Sequence, residues 1–382
     1  MRRSEAEPAA GPDVAAAGAG GRRRVPAYVW RTWAVVVVFA AVTLWRSHVV
    51  GIGLRDPHLA IVGRRLPAAV GMWALLVAGH ALWRTRHGEG PRLRRAVAAV
   101  RERWTPGRLG LAASALLAYH VTYFCYRNLK SWDVLNAPRD RMLLGWDRWL
   151  FAGHDPAALL HAALGEHVSA YVLIVVYESF STVVAVSFVA AVALPRRMRE
   201  TYAATLSGML IWILGVASYY AIPSLGPFWS APQLFSGLPD TIVTETQALF
   251  LEQRAQLLAH PELPSSVAQV SAFASLHVGV LTVLVLMARH LGLRLLTRLL
   301  ALDLALTLVA TVYLGWHFAV DDVAGLAIGA LAVALGTRIA GSPPARRRSR
   351  HHDSPAGTSD SATSTRLTTS MWSATSGTPP RK

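Results

Sequence analysis

Cysteine is almost missing from this chain: Cys125 is the only one. That excludes an intrachain disulfide and any metal site built from cysteines. Lysine is nearly as scarce, with Lys130 and Lys382 alone, so arginine supplies almost all the positive charge. Charged residues of either sign make up only 16% of the 382 residues, too few to cover the surface of a soluble protein of this length. The opening Arg pair is not followed by an apolar run, so residues 1–27 read as a disordered cytoplasmic tail and not as a cleavable signal. Residues 341–382, rich in Ser, Thr, Pro and Arg, read as a second disordered basic cytoplasmic tail. No internal repeat stands out.

What is present is apolar surface in long blocks. Hydrophobic residues make up 53% of the chain, and eight segments approach the ~20 residues needed to cross a ~30 Å hydrocarbon layer. They lie near 28–48, 66–83, 109–127, 168–194, 203–222, 272–289, 298–316 and 318–338. The expected fold is therefore all-α, a polytopic membrane helix bundle.

The net charge of +16 could suit nucleic acid or an anionic membrane, and its distribution favours the membrane. Residues 1–27 hold five Arg against three acids, 84–108 eight Arg against two, and 341–382 seven basic groups against two. All flank apolar runs, as cytoplasmic loops do, and no nucleic-acid partner is expected. With both termini inside, the connections 84–108, 195–202 and 290–297 are basic and inside. The long connections 128–167 and 223–271 then lie outside, the latter with Arg254 alone against four acids. The connection 49–65, with three Arg, runs against the rule.

The chemistry-bearing residues gather at outward helix ends. FASLHVGV places Ser275 and His277 at the start of segment six, and TVYLGWHFAVDDVAG places His317, Asp321 and Asp322 where segments seven and eight meet. Ionisable groups at this depth are costly and mark function. Four residues apart on a helix, Asp321 would lie over His317 and fix one ring nitrogen, leaving the other as a nucleophile. His277 could then serve as acid and base, and the start of segment six offers N–H groups to a phosphate. Taken singly, each motif has a plainer role: a histidine at a membrane interface snorkels, and an Asp pair opening a helix caps it. Asp322 points ~100° from Asp321 and reads as such a cap. Asp303 lies too deep to join the site, and Glu178, inside segment four, reads as hydrogen-bonded to a nearby Ser or Tyr or, less favoured, as paired with an active-site cation. WDRWLFAGHDPAALLHAALG reads as an interfacial helix, and ALFLEQRAQLLAH as a helix within the second long loop.

FASLHVGV and TVYLGWHFAVDDVAG resemble the second and third signature motifs of the type 2 phosphatidic acid phosphatase superfamily. The pattern is closest to its inositolphosphotransferase branch, which includes inositol phosphorylceramide synthases. His277, then His317, Phe318, Asp321 and Gly325, fall in register, and LLGWDRWLFAGHDPAALLHAALG, VYESF and YYAIPSLGPFW are similar to that branch too. The resemblance spans about 109–340 and implies a six-helix phosphatase-type core, with 28–108 adding two N-terminal transmembrane helices and a basic loop. It implies that His317 attacks phosphorus to form a phosphohistidine, Asp321 orients it, and His277 protonates the leaving group. No metal or other cofactor is implied. Placement of the motifs at the interface, where headgroups lie, points to a lipid phosphate or phospholipid as substrate, and the resemblance implies water or an alcohol as acceptor.

The chain departs from the broader pattern. Lys130 is not followed by the Arg-Pro of the first motif, the Ser-Arg before the third-motif His is replaced by Ala310-Thr311, and Ala274 and Leu276 stand where the phosphatases favour Pro and Gly. Two usual phosphate-neutralising groups are thus lost. Arg254 is the expected replacement together with Ser275, although Arg254 equally suits an exposed helix face; Lys130 and Arg127 are reserves. Two further readings use the same atoms or fold: a metal-dependent hydrolase with His277, His317 and Asp321 as ligands, and a non-catalytic transporter or scaffold.

Overall fold

The computed structural model describes residues 25–342, so the tails expected to be disordered lie outside the described residues apart from their innermost few positions. Among the described residues there are helices and no strands. In chain order they are α1 (Ala27–Val50), α2 (Leu66–Arg84), α3 (Arg92–Arg103), α4 (Pro106–Asp133), α5 (Asp140–Leu150), α6 (Pro156–Leu164), α7 (Val168–Ala193) and α8 (Met198–Ala221). After these come α9 (Pro227–Ser230), α10 (Ile242–Ala259), α11 (Leu276–His290), α12 (Arg294–Tyr313) and α13 (Ala319–Ala340).

Among the described residues, seven helices are long and apolar enough to cross a membrane: α1, α2 with the turns before it, α4, α7, α8, α12 and α13. The chain is an all-α, multi-pass membrane helix bundle. The eighth apolar segment forms α11, whose 15 residues span only ~22 Å. Local chemistry sets several ends. Thr105 caps α4, its side chain accepting from the Arg108 N–H at 3.4 Å, with Pro106 at the first helical position, where a missing N–H costs nothing. α1 stops at Gly51, in the left-handed conformation at φ 68°.

α8 is the axis of the bundle, buried along most of its length, with α13 and α4 packed on it. α11 fills the angle between α8, α12 and α13, and α7 lies against α12, α8 and α2. α11 and α13 meet backbone to backbone. A Cβ at Gly325 would collide with the Ser275 carbonyl oxygen, and one at Gly329 would sit 2.6 Å from the Gly279 carbonyl oxygen. Small residues at this seam let two backbones touch, which substitutes for the hydrophobic drive that lipid does not supply between membrane helices.

Two loop expectations change. The basic connection 84–108 holds a helix, α3, with Ala96 buried, Ala99 and Val100 half-buried, and Arg92, Arg94 and Arg101 exposed. The expected single interfacial helix is two, α5 and α6, broken at Ala152 and Gly153, both with positive φ. Trp149 is exposed, but Asp140 and Asp147 of α5 are buried. α10 forms where expected, closed at its start by a Thr241/Thr244 capping box.

Candidate active site

His277 is the second residue of α11, and its position follows from how that helix begins. Ser275 is the N-cap, with its side chain accepting from the Val278 N–H at 3.4 Å. The Ser275 N–H donates to the Asp321 carbonyl at 3.0 Å, joining the start of α11 to the start of α13. The incoming strand of loop is held as well. The Phe273 N–H donates to Ser224 Oγ at 2.8 Å, the Ala274 N–H to Ser218 Oγ at 2.9 Å, and Ser271 Oγ to Asp133 at 3.0 Å.

His317 stands in the corner between α12 and α13. Gly315, with φ 77°, turns the chain, and the N–H groups of Trp316 and His317 both return to the Thr311 carbonyl at 3.0 and 3.2 Å. From the other side, α5 clamps the corner. Asp147 accepts from the Ala319 and Val320 N–H groups at 2.8 and 2.9 Å, which are free donors at the start of α13. Two turns away, Asp140 accepts from the Leu225 and Gly226 N–H groups at 3.0 and 2.7 Å, and the Phe228 N–H donates to the Gly315 carbonyl at 3.0 Å. Burial raises both carboxyl groups, while the backbone N–H groups they accept from pull the other way. Sequence reasoning assigned neither residue. The seven-residue spacing, which puts both on one face of a helix, was the available signal.

The two imidazole rings lie with centroids 5.7 Å apart, inclined at 63°. Tyr177 stacks on His277 at 4.4 Å and Phe180 packs beside it at 4.3 Å. His317 Nδ1 is 3.5 Å from Asp321 Oδ2. That pair is not aligned as a hydrogen bond: Nδ1 and Asp321 Oδ1 have no partner, and Asp321 Oδ2 accepts from the Phe318 N–H at 2.9 Å. Burial pushes the His317 imidazole down to about 4, against the opposing pull of the Asp322 carboxyl, so the ring is neutral at neutral pH.

Both histidines open onto a cavity of about 160 Å³. Its walls are aromatic, including Tyr123, Tyr126, Trp212 and Trp316, and its charges are Arg127 and Lys130 from the last turns of α4. Arg127 donates to Gln269 Oε1 at 2.7 Å, and the Lys130 ammonium lies 5.5 Å from the centre of the Tyr219 ring. At the edge, the Arg65 guanidinium covers Tyr123 at 4.3 Å.

The structure thus gathers His277, His317 and Asp321 and places several other expected residues elsewhere. His317 precedes α13, so its contact with Asp321 comes from a capping turn and not from two levels of one helix. Asp322 does not cap: its Oδ2 accepts from the Thr311 hydroxyl at 2.8 Å. Ser275 is fully buried in its capping role and does not line the cavity. Arg254 does not line it either; it lies on α10 within electrostatic reach of Asp140. The reserves, Lys130 and Arg127, are the cations present. Glu178 is exposed on α7, and Asp303 is half-buried in mid-α12. Among the described residues, no group of three or more His, Cys, Asp or Glu side chains is arranged to hold a metal ion.

No curated protein and no solved structure matches the chain. A family model, described as the PAP2 superfamily, matches residues 141–335. The matched stretch begins in α5 and ends in α13, so it holds both histidines, the corner-clamping Asp147 and the α11–α13 seam, and leaves α1 to α4 outside. On that match, the chain belongs to the PAP2 superfamily, whose members are phosphatases and phosphotransferases.

Proposed function

We propose that this protein transfers the phosphoryl group of a membrane lipid phosphate or phospholipid through a covalent phosphohistidine. The observation that carries the reading is the pair of imidazoles, 5.7 Å apart, on one cavity with Lys130 and Arg127. His317, neutral and with Nδ1 toward Asp321, attacks phosphorus through Nε2, and the bond from phosphorus to the leaving oxygen breaks. Burial, His317 and Lys130 hold His277 below the ordinary imidazole range; the charge of the entering phosphate favours its protonated form, which gives that oxygen its proton. The neutral His277 next takes a proton from water or an alcohol, whose oxygen displaces His317 from phosphorus. Lys130 and Arg127 neutralise the equatorial oxygens, where charge accumulates. The Asp321 contact is longer than a working hydrogen bond, as is common before substrate closes a site.

A cavity of this size is smaller than the several hundred Å³ of ordinary ligand pockets. It takes a phosphate and part of a headgroup, with the lipid chains left in the bilayer. The inositolphosphotransferase-like branch is favoured by the α5 and YYAIPSLGPFW segments and by the missing third-motif arginine, whose place near the corner is taken by Thr311. In this reading the core is 109–340, the site faces the extracytoplasmic side of the cell membrane, and both termini are cytoplasmic, as the basic connections favour.

The test is release of phosphate, or its transfer to an added alcohol, from phosphatidate, polyprenyl and phosphoinositol lipids by the purified protein. His317→Ala should lower turnover by about 10³-fold or more, the order seen when a nucleophile is removed. Undiminished turnover would remove the nucleophile. Loss of activity with a chelator, restored by added metal, would favour the metal-dependent reading instead.

A further inference from the structure

A second, larger cavity has one wall, α1, outside the region matched by the family. It is a groove of about 780 Å³ between α1 and α8, floored by Leu129 of α4. Val35, Val38 and Val42 of α1 face Leu210 and Ile213 of α8 across it. Its walls are otherwise apolar, but at the end where α1, α4 and α8 finish it holds one charge, Arg46. The guanidinium lies 5.3 Å from the centre of the Tyr220 ring, and that ring is fixed because the Tyr220 hydroxyl donates to the Leu129 carbonyl at 2.9 Å. Arg46 Nε is buried without an acceptor. Among the described residues no carboxylate pairs with Arg46 within 4.0 Å.

A buried guanidinium N–H without an acceptor is expensive, and helix-lined basic pockets at the membrane surface bind anionic lipid headgroups. From Ala34 to Arg46 the groove follows twelve residues of α1, ~18 Å of helix, which is more than half the depth of the hydrocarbon layer that α1 would cross. A groove that is apolar along this length and cationic at its headgroup end matches one molecule, a phospholipid lying along α1. Free phosphate would leave the apolar walls empty, and an apolar partner helix would leave the Arg46 Nε–H without an acceptor.

We propose that this groove is a binding site for an anionic phospholipid, with an acyl chain between α1 and α8 and the phosphate on Arg46. The site is separate from the candidate active site: α4 and α8 stand between them, with Leu129 facing the groove and Lys130 the catalytic cavity. The extra N-terminal helix thereby gains a role, as one wall of a structural lipid site.

The test uses the full-length protein in a neutral detergent and needs no turnover. Phosphatidylglycerol should raise Tm more than phosphatidylcholine does, and inorganic phosphate should not. Arg46→Gln should remove the difference between the two lipids, weakening phosphatidylglycerol binding about tenfold, whereas Arg46→Lys should retain part of it. Val38→Trp, which fills the groove, should remove the phosphatidylglycerol shift. In the unmutated protein, brominated phosphatidylglycerol should quench the part of the fluorescence lost in Trp45→Phe, since Trp45 lines the groove. An unchanged preference in Arg46→Gln, the same shift with inorganic phosphate alone, or no quenching of Trp45 would overturn the proposal.

Discussion

At the scale of single residues, the two histidines were legible and the cations were not. His277 and His317 announce themselves through short motifs whose neighbours, Gly279 and Gly325, are fixed by the same close packing. The choice between Arg254 and Lys130 depends on which of two elements folds over the cavity, and closeness along the chain favoured Arg254, which does not line it. Arg254 stands in the loop that leads into α11, but α10 turns it away. Arg127 and Lys130 are three residues apart on α4, hence neighbours on one helical face, and that face is the one lining the cavity. Removing the charge while keeping the stem should separate the two cases. Lys130→Met is expected to lower kcat by about 10²-fold, the order for one group that stabilises charge in the transition state, and Arg254→Gln to leave kcat within a factor of about three, both read as phosphate release at saturating lipid. Equal losses in both variants would return Arg254 to the site.

At the scale of elements, hydropathy found every apolar helix, often within a few residues of its ends, because long uninterrupted apolar runs admit few alternatives in lipid. It did not find what α5 does. Aromatic and charged residues read as an interfacial helix, and Trp149 does lie exposed, but Asp140 and Asp147 turn inward to hold backbone N–H groups. Such a carboxylate cannot be told from a surface one until its acceptor-hungry partner, a helix start, is placed beside it. The α11–α13 seam belongs to this scale too. Gly325→Ala must force α11 from α13, since the new methyl meets the Ser275 backbone, whereas a Cβ at Gly79 in α2 meets nothing within 4 Å. The expectation is a clear fall in Tm and in turnover for Gly325→Ala, and for Gly79→Ala no loss, as alanine is the better helix former by about 1 kcal/mol. Thermal melts of the two variants side by side decide it, and an unchanged melt for Gly325→Ala would mean that the seam can open without cost.

At the scale of the whole molecule, orientation is the open expectation, and the three arginines of 49–65 are its one discord. The surroundings of two of them give other employment: Arg55 donates to the carbonyls of Ser266 and Pro261 and shares Asn128 through its backbone, while Arg65 covers Tyr123. Arginines held this way are spent on structure, so they weigh less in a charge rule. With Cys125 buried and replaced by Ser, single cysteines at the exposed Ser236 and Glu89 should label oppositely in intact cells. A membrane-impermeant maleimide should reach Ser236→Cys and not Glu89→Cys; the reverse pattern would invert the protein.

The shortness of α11 has a consequence for what such a protein can act on. A ~22 Å rod in a ~30 Å layer cannot reach both surfaces, and the seam with α13 prevents it from tilting away from its neighbours. Its first turn, however, is tied to the first turn of α13 through the Ser275 N–H and the Asp321 carbonyl, so on the proposed chemistry His277 stands where a spanning helix begins, at the border of the hydrocarbon layer. Amphiphiles anchored in the leaflet can bring a phosphorus atom to that border while keeping their tails in oil, whereas a freely dissolved ester would have to shed its water first.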